Sequence, residues 1–220
     1  MRNAIREFRS ARRRLETRNT PMATALERIL EINIVFVHVP KCGGKSVVKE
    51  VYGLGEHDWF GHAGIGFYRG LLGPKRFRAA FKFAFLRDPV ARCFSGFKFR
   101  QRGGFSLPTD KQLQAEFEGL TFNDFVLSGK LTEFARKDVV FQPQAPLFFL
   151  PSGEFGLDRI CRFENFDEEI RNLPIERKNC AVTHINAGPK ASAPEFAAEV
   201  REMIEHIYAE DCKFIARLDT

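Results

Sequence analysis

The chain has 220 residues, 44% of them hydrophobic, enough for one sizeable core, and a formal net charge of +6. Seven Arg and two Glu within residues 1–18 give a net of +5 and leave +1 to the other 202, so the basicity belongs to a terminal arm and speaks against a nucleic-acid-binding domain. No stretch approaches the roughly 18 uninterrupted apolar residues of a membrane span and the start lacks the apolar segment of a signal peptide, so a cytoplasmic protein is expected.

Two organisational units are expected: a basic helical arm over residues 1–30 and a single domain over 31–220. In the arm, Ile5, Phe8, Ala11 and Leu15 recur at helical spacing among arginines. That makes it a candidate for peripheral contact with a membrane surface, a solvated helix being the plainer reading. A short helix over Thr24 to Leu30 should lead into the first strand. From Ile32 to Val39 the run is apolar on both faces apart from Asn33 and His38, as a central parallel strand covered by helices would be. His38 reads as a hydrogen-bonded structural histidine. The next helix should span Lys45 to Tyr52 and stop at Gly53 to Gly55.

Glu56 to Pro74 carries five glycines and two histidines without strong periodicity and reads as an exposed connection. Phe81 to Leu86 reads as a second buried strand, with Pro89 opening a helix to about Gln101. Helices are expected at Lys111 to Glu118 and, after a Thr cap, at Thr121 to Ser128. A third strand follows at Leu157 to Phe163, then helices at Glu164 to Leu173 and Glu195 to Arg217. The alternation predicts an α/β fold with a central parallel sheet flanked by helices. The five cysteines are widely spaced with no CxxC pair, which indicates neither a zinc site nor a disulfide framework; no metal is expected.

The turn PKCGGKS after the first strand carries the chemistry. Gly43 and Gly44 let backbone approach an anion at a helix N-terminus, Lys41 and Lys45 add charge, and Ser46 adds a donor. The nucleotide P-loop G-x-x-x-x-G-K-[ST] ends in the same triplet, but its first glycine would fall on Val39. Arg87, at the end of a buried strand, and Ser95, eight residues on and about two helical turns later, form a second anion site. Two such sites suit a ligand with two separated anionic groups.

These motifs resemble those of sulfotransferases. VHVPKCGGKSV is similar to their 5′-phosphosulfate loop and FLRDPVARCFSGF to their 3′-phosphate motif, within the carbohydrate branch that includes the heparan sulfate 2-O-sulfotransferases and bacterial relatives. The likeness runs on through FGHAGI, FQPQAPLFFL, ICRFENFDEEI, THINAG and IYAEDCKFIARL, about Ile32 to Leu218 in family order. The resemblance implies a P-loop-like three-layer sandwich. It also implies transfer of a sulfuryl group from 3′-phosphoadenosine 5′-phosphosulfate (PAPS) to an acceptor hydroxyl, of a carbohydrate or a related compound.

On that resemblance Lys41 supports charge on the leaving phosphate, and Gly43, Gly44, Lys45 and Ser46 hold the 5′-phosphate with Cys42 as a loop member. Arg87 and Ser95 hold the 3′-phosphate, Asn186 and Lys190 contact the adenosine or its 3′-phosphate, and His62 is the general base with His57 as runner-up. The commoner loop is PKTGGTS, so Cys42 and Lys45 are departures. Gln144 and Glu164 match recurrent family positions without a mechanism. Two alternatives stand beside this reading: a P-loop kinase using ATP and magnesium, with Asp88 at a strand end, and a non-catalytic protein that binds polyanions through its Arg-rich arm.

Overall fold

The structure is a computed structural model that describes residues 21–55, 58–105, 108–174 and 196–218. The basic arm over residues 1–18, His57, Asn186 and Lys190 lie outside the described residues. In chain order the elements are α1 (Pro21–Ile32), β1 (Ile34–Val37), α2 (Gly44–Tyr52), α3 (Ile65–Ala79), β2 (Phe81–Leu86), α4 (Pro89–Gln101), α5 (Pro108–Ala115), α6 (Phe122–Leu127), α7 (Lys130–Lys137), β3 (Arg159–Arg162), α8 (Phe166–Arg171), α9 (Ala198–Ile207) and α10 (Ala209–Leu218). Short 3-10 turns occupy Ala145–Phe148 and Phe163–Asn165. The strands form a parallel sheet in the order β1-β2-β3 flanked by helices, the α/β architecture expected. Among the described residues no helix is long and apolar enough to cross a membrane.

The chain divides into two compact units. The first comprises Met1–Val39, Gly43–Phe85 and Pro146–Ala187 and holds the sheet. Asn33 adopts a left-handed φ of 57°, a conformation its short polar side chain tolerates, and this ends α1 one residue before β1. Its side-chain amide donates to the Ala79 carbonyl at 2.8 Å, and Phe81 N–H donates to the Asn33 carbonyl at 3.0 Å. The register of the parallel pair, Ile34 opposite Phe81 through Val37 opposite Ala84, follows from that anchor. All four residues of β1 are buried, as a strand covered on both faces must be. After α2, Gly53 takes a left-handed φ of 65° and its N–H returns to the Lys49 carbonyl, stopping the helix where the glycines foretold.

The segment from Glu56 to Pro74 differs from expectation. It is not an exposed connection throughout: α3 begins at Ile65 and buries Ile65, Tyr68, Leu71, Leu72 and Phe77. Its glycines conceal the helical period. Gly66 is a close-packing site, since a Cβ there would sit 3.1 Å from the Pro151 ring, and Gly73, with φ 74°, interrupts the helix just before Pro74.

The second unit comprises Pro40–Cys42, Leu86–Ala145 and Gly188–Thr220 and is helical. Its core is a lattice of phenylalanines. Phe117 lies 4.9 Å from Phe134 and 5.1 Å from Phe125, and Phe125 lies 5.1 Å from Phe141, ring centre to ring centre. Thr121 caps α6 with a reciprocal Asp124 bond, as its position predicted. α7 was not foreseen; it buries Leu131 and Phe134. The expected single helix from Glu195 breaks at Tyr208, whose hydroxyl donates to the Phe141 carbonyl at 2.6 Å. In the same unit Arg100 is locked between two buried carboxylates, Asp138 at 2.7 Å and Asp110 at 2.8 Å.

Candidate active site

The loop from Val39 to Ser46 is shaped by two glycines with different duties. Gly43 is the N-cap of α2 with φ 74°, and a Cβ on it would come within 2.8 Å of the Phe166 ring and 3.0 Å of Phe163. Gly44 has ordinary backbone angles, yet a Cβ there would stand 1.8 Å from His38 Nε2. The floor under the first turn of α2 is thus the His38 imidazole, and only a glycine fits over it. Ser46 is buried in this turn and Lys45 is exposed at its rim. The N-terminus of a nine-residue helix adds a favourable field for an anion.

His38 differs from its sequence reading. Its Nδ1 is buried without a hydrogen-bond partner, so the ring is held by packing: stacked on Phe36 at 5.6 Å and edge-on to His62 at 4.4 Å. Burial, then the neighbouring His62 and Lys45 charges, hold its pKa well below the ordinary histidine value. The ring is therefore neutral at physiological pH.

His62 sits just before α3, after Gly61 with φ 63°. Its Nδ1 lies 3.0 Å from the His38 carbonyl oxygen. A carbonyl only accepts, so Nδ1 carries the proton and, in the neutral ring, Nε2 keeps its lone pair. His62, His38 and Gly44 are consecutive contacts, which brings the proposed base beside the anion loop.

Lys41 and Cys42 belong to the helical unit with Arg87 and Ser95. Lys41 is one of two non-glycine residues with positive φ among the described residues, at 66°; its ammonium rests 4.3 Å from the centre of the Phe99 ring. Its carbonyl accepts from Arg87 Nη1 at 3.0 Å, so the structure brings Lys41 and Arg87 together. Ser95 is half-buried on α4, one turn before Phe99. Cys42 is buried and its thiol donates to Gln144 Oε1 at 3.3 Å, a structural role consistent with a loop member.

Asp88 caps α4, its Oδ1 accepting from Ala91 N–H at 2.8 Å. Glu164 pairs with Arg162 at 3.2 Å. Sequence reasoning gave Gln144 no role; the structure sets its carboxamide against both Cys42 and the backbone of Arg87. The available signal was a glutamine inside an apolar run.

Searches of curated proteins and of solved structures gave no match. A family model, described as the sulfotransferase family, matches residues 70–214. That span takes in Arg87, Ser95, Gln144 and Glu164 and begins after the anion loop and His62. It covers well over half of the 220 residues, and the chain belongs to the sulfotransferase family.

Proposed function

We propose that the protein transfers a sulfuryl group from PAPS to an acceptor hydroxyl, that of a carbohydrate, by in-line displacement with His62 as general base. Family membership carries the sulfuryl-transfer chemistry. The observation that supports this particular reading is the contact chain from His62 through His38 to Gly44, with the His62 proton fixed on Nδ1 by a backbone carbonyl. A general base accepts a proton on a ring nitrogen, and that tautomer puts the accepting nitrogen of the neutral ring at Nε2.

The donor supplies an activated sulfuryl group on a phosphosulfate anhydride. Gly43, Gly44, Lys45 and Ser46 bind its 5′-phosphate at the start of α2, with Cys42 holding the loop. Lys41 leaves the Phe99 ring, a contact worth about 0.5–2 kcal/mol, to neutralise charge on the leaving phosphate. Arg87 and Ser95 bind the 3′-phosphate, and Asn186 and Lys190 complete the nucleotide contacts. Activity resides in residues 31–220 of a cytoplasmic enzyme, with no metal and no nucleic-acid partner. The arm over 1–18 is accessory to transfer, so its deletion leaves transfer intact.

Asp88 is committed to capping α4, which weakens the kinase alternative. The deciding experiment is the affinity for 3′,5′-adenosine bisphosphate against ATP with magnesium, followed by labelled-donor transfer to a panel of sugars. Tighter binding of the bisphosphate and transfer to a sugar hydroxyl are expected; tighter binding of ATP overturns the reading.

A further inference from the structure

Gln144 is fully buried, and all four hydrogen-bonding positions of its carboxamide are in use. Oε1 accepts from the Arg87 N–H at 3.1 Å and from the Cys42 thiol at 3.3 Å. Nε2 donates to the Arg87 carbonyl at 2.9 Å and to Asp211 Oδ2 at 3.2 Å. Asp211, in the first turn of α10, is also fully buried. Its carboxylate accepts from Gln144 N–H at 3.0 Å to each oxygen and from Ala145 N–H at 2.8 Å.

A side-chain amide that clasps both the N–H and the C=O of one residue acts as a one-residue strand pairing. It fixes the two peptide planes flanking Arg87, and so the direction in which its side chain leaves the end of β2. The same oxygen restrains Cys42, whose neighbour Lys41 receives Arg87 Nη1 on its carbonyl. A closed circuit results: Gln144 to the Arg87 backbone, the Arg87 guanidinium to Lys41, and Cys42 back to Gln144. Asp211, whose two oxygens accept from every polar group around them, draws the Nε2 end of Gln144 toward itself and so excludes the flipped amide, which would face two acceptors with an oxygen. An apolar residue would fill the space; a glutamine with every valence matched sets geometry.

We propose that Gln144, oriented by Asp211, is a positioning residue that fixes Arg87 relative to the Lys41–Cys42 peptide, and thereby sets the preference for nucleotides bearing a 3′-phosphate. This rests on the reading above, in which Arg87 takes the 3′-phosphate. The test is the ratio of affinities of the full chain for 3′,5′-adenosine bisphosphate and adenosine 5′-monophosphate, by calorimetry, with thermal denaturation run alongside. The wild-type chain prefers the bisphosphate; in Gln144→Leu the ratio falls by about tenfold or more, because a misplaced guanidinium loses its aim. Asp211→Asn keeps the shape and weakens only the anchoring, so its ratio falls by about threefold, and it carries the test should Gln144→Leu not fold. General destabilisation lowers the bound fraction for both nucleotides and leaves their ratio alone. A folded variant of either residue with the wild-type ratio overturns the inference. A wild-type chain without any preference overturns the underlying reading, and with it this one, before a variant is made.

Discussion

The sheet unit and the helical unit differ in how they hold the polar groups nearest the candidate site residues. In the sheet unit His38 Nδ1 is buried without a hydrogen-bond partner and the first turn of α2 rests on that ring at Gly44, while the buried Lys82 ammonium is matched by the Ala80 carbonyl at 2.6 Å and Asp158 at 2.7 Å. In the helical unit, among the described residues, Arg92 Nε is the atom so left. There Arg100 meets two carboxylates and Gln144 uses every valence. Unmatched buried polarity costs free energy, and at His38 it lies directly under the first turn of α2. Matched polarity belongs to a scaffold that must hold a guanidinium in one place.

The largest effect expected from breaking this division is on the rate. His62→Ala removes the proposed base but leaves the loop, so transfer falls by about 10²–10⁴-fold while bisphosphate binding, read by calorimetry, stays as in the wild type. Unchanged turnover would move the base elsewhere, His57 first. Next comes the scaffold: Arg100→Leu strands Asp110 and Asp138 without their cation and should cost about 3–5 kcal/mol in urea unfolding. A loss below about 1 kcal/mol would mean that water reaches the pair, as at an exposed bridge. Gly44→Ala is smaller, about 1–3 kcal/mol, because the new methyl meets an imidazole that Phe36 and His62 already confine. If the variant keeps wild-type stability and donor binding, the imidazole yields more readily than its packing implies.

What the sequence disclosed was set by locality. The strand from Phe81 to Leu86 was legible because its apolar run is continuous, and α4 because Pro89 stands at a position that suits only a helix start. The Thr121 cap announced itself by spacing alone. α3 stayed hidden since its glycines are there for contact with Pro151 and for a kink, and composition cannot tell a packing glycine from a turn glycine. The site divided along the same line. The candidate anion loop is a contiguous motif visible in the sequence, but Gln144 lies 57 residues from Arg87 in sequence, and Asp211 lies 67 from Gln144. Their partnership is a product of folding. His38 was misread for a related reason: a histidine at a strand end is ordinarily hydrogen-bonded, and only the approach of Gly44 explains why this one is held by packing.

That histidine supplies the mildest test of the contrast, and one specific to pH. Its folded-state pKa lies well below the ordinary value near 6.5, through burial first and then the His62 and Lys45 charges. Above the unfolded-state value His38 is neutral in both states and its contribution is intact. As the pH falls below that value the unfolded chain takes up a proton that the folded chain refuses, so stability declines, and the decline ends once the depressed folded-state pKa has been passed. One such proton gives a slope of at most about 1.4 kcal/mol per pH unit. Urea midpoints between pH 7 and pH 5 should therefore fall more steeply for the wild-type chain than for His38→Gln, which has nothing to titrate at that position. Parallel curves would mean that His38 accepts its proton in place, and the floor of the loop would then be a cation rather than a neutral ring.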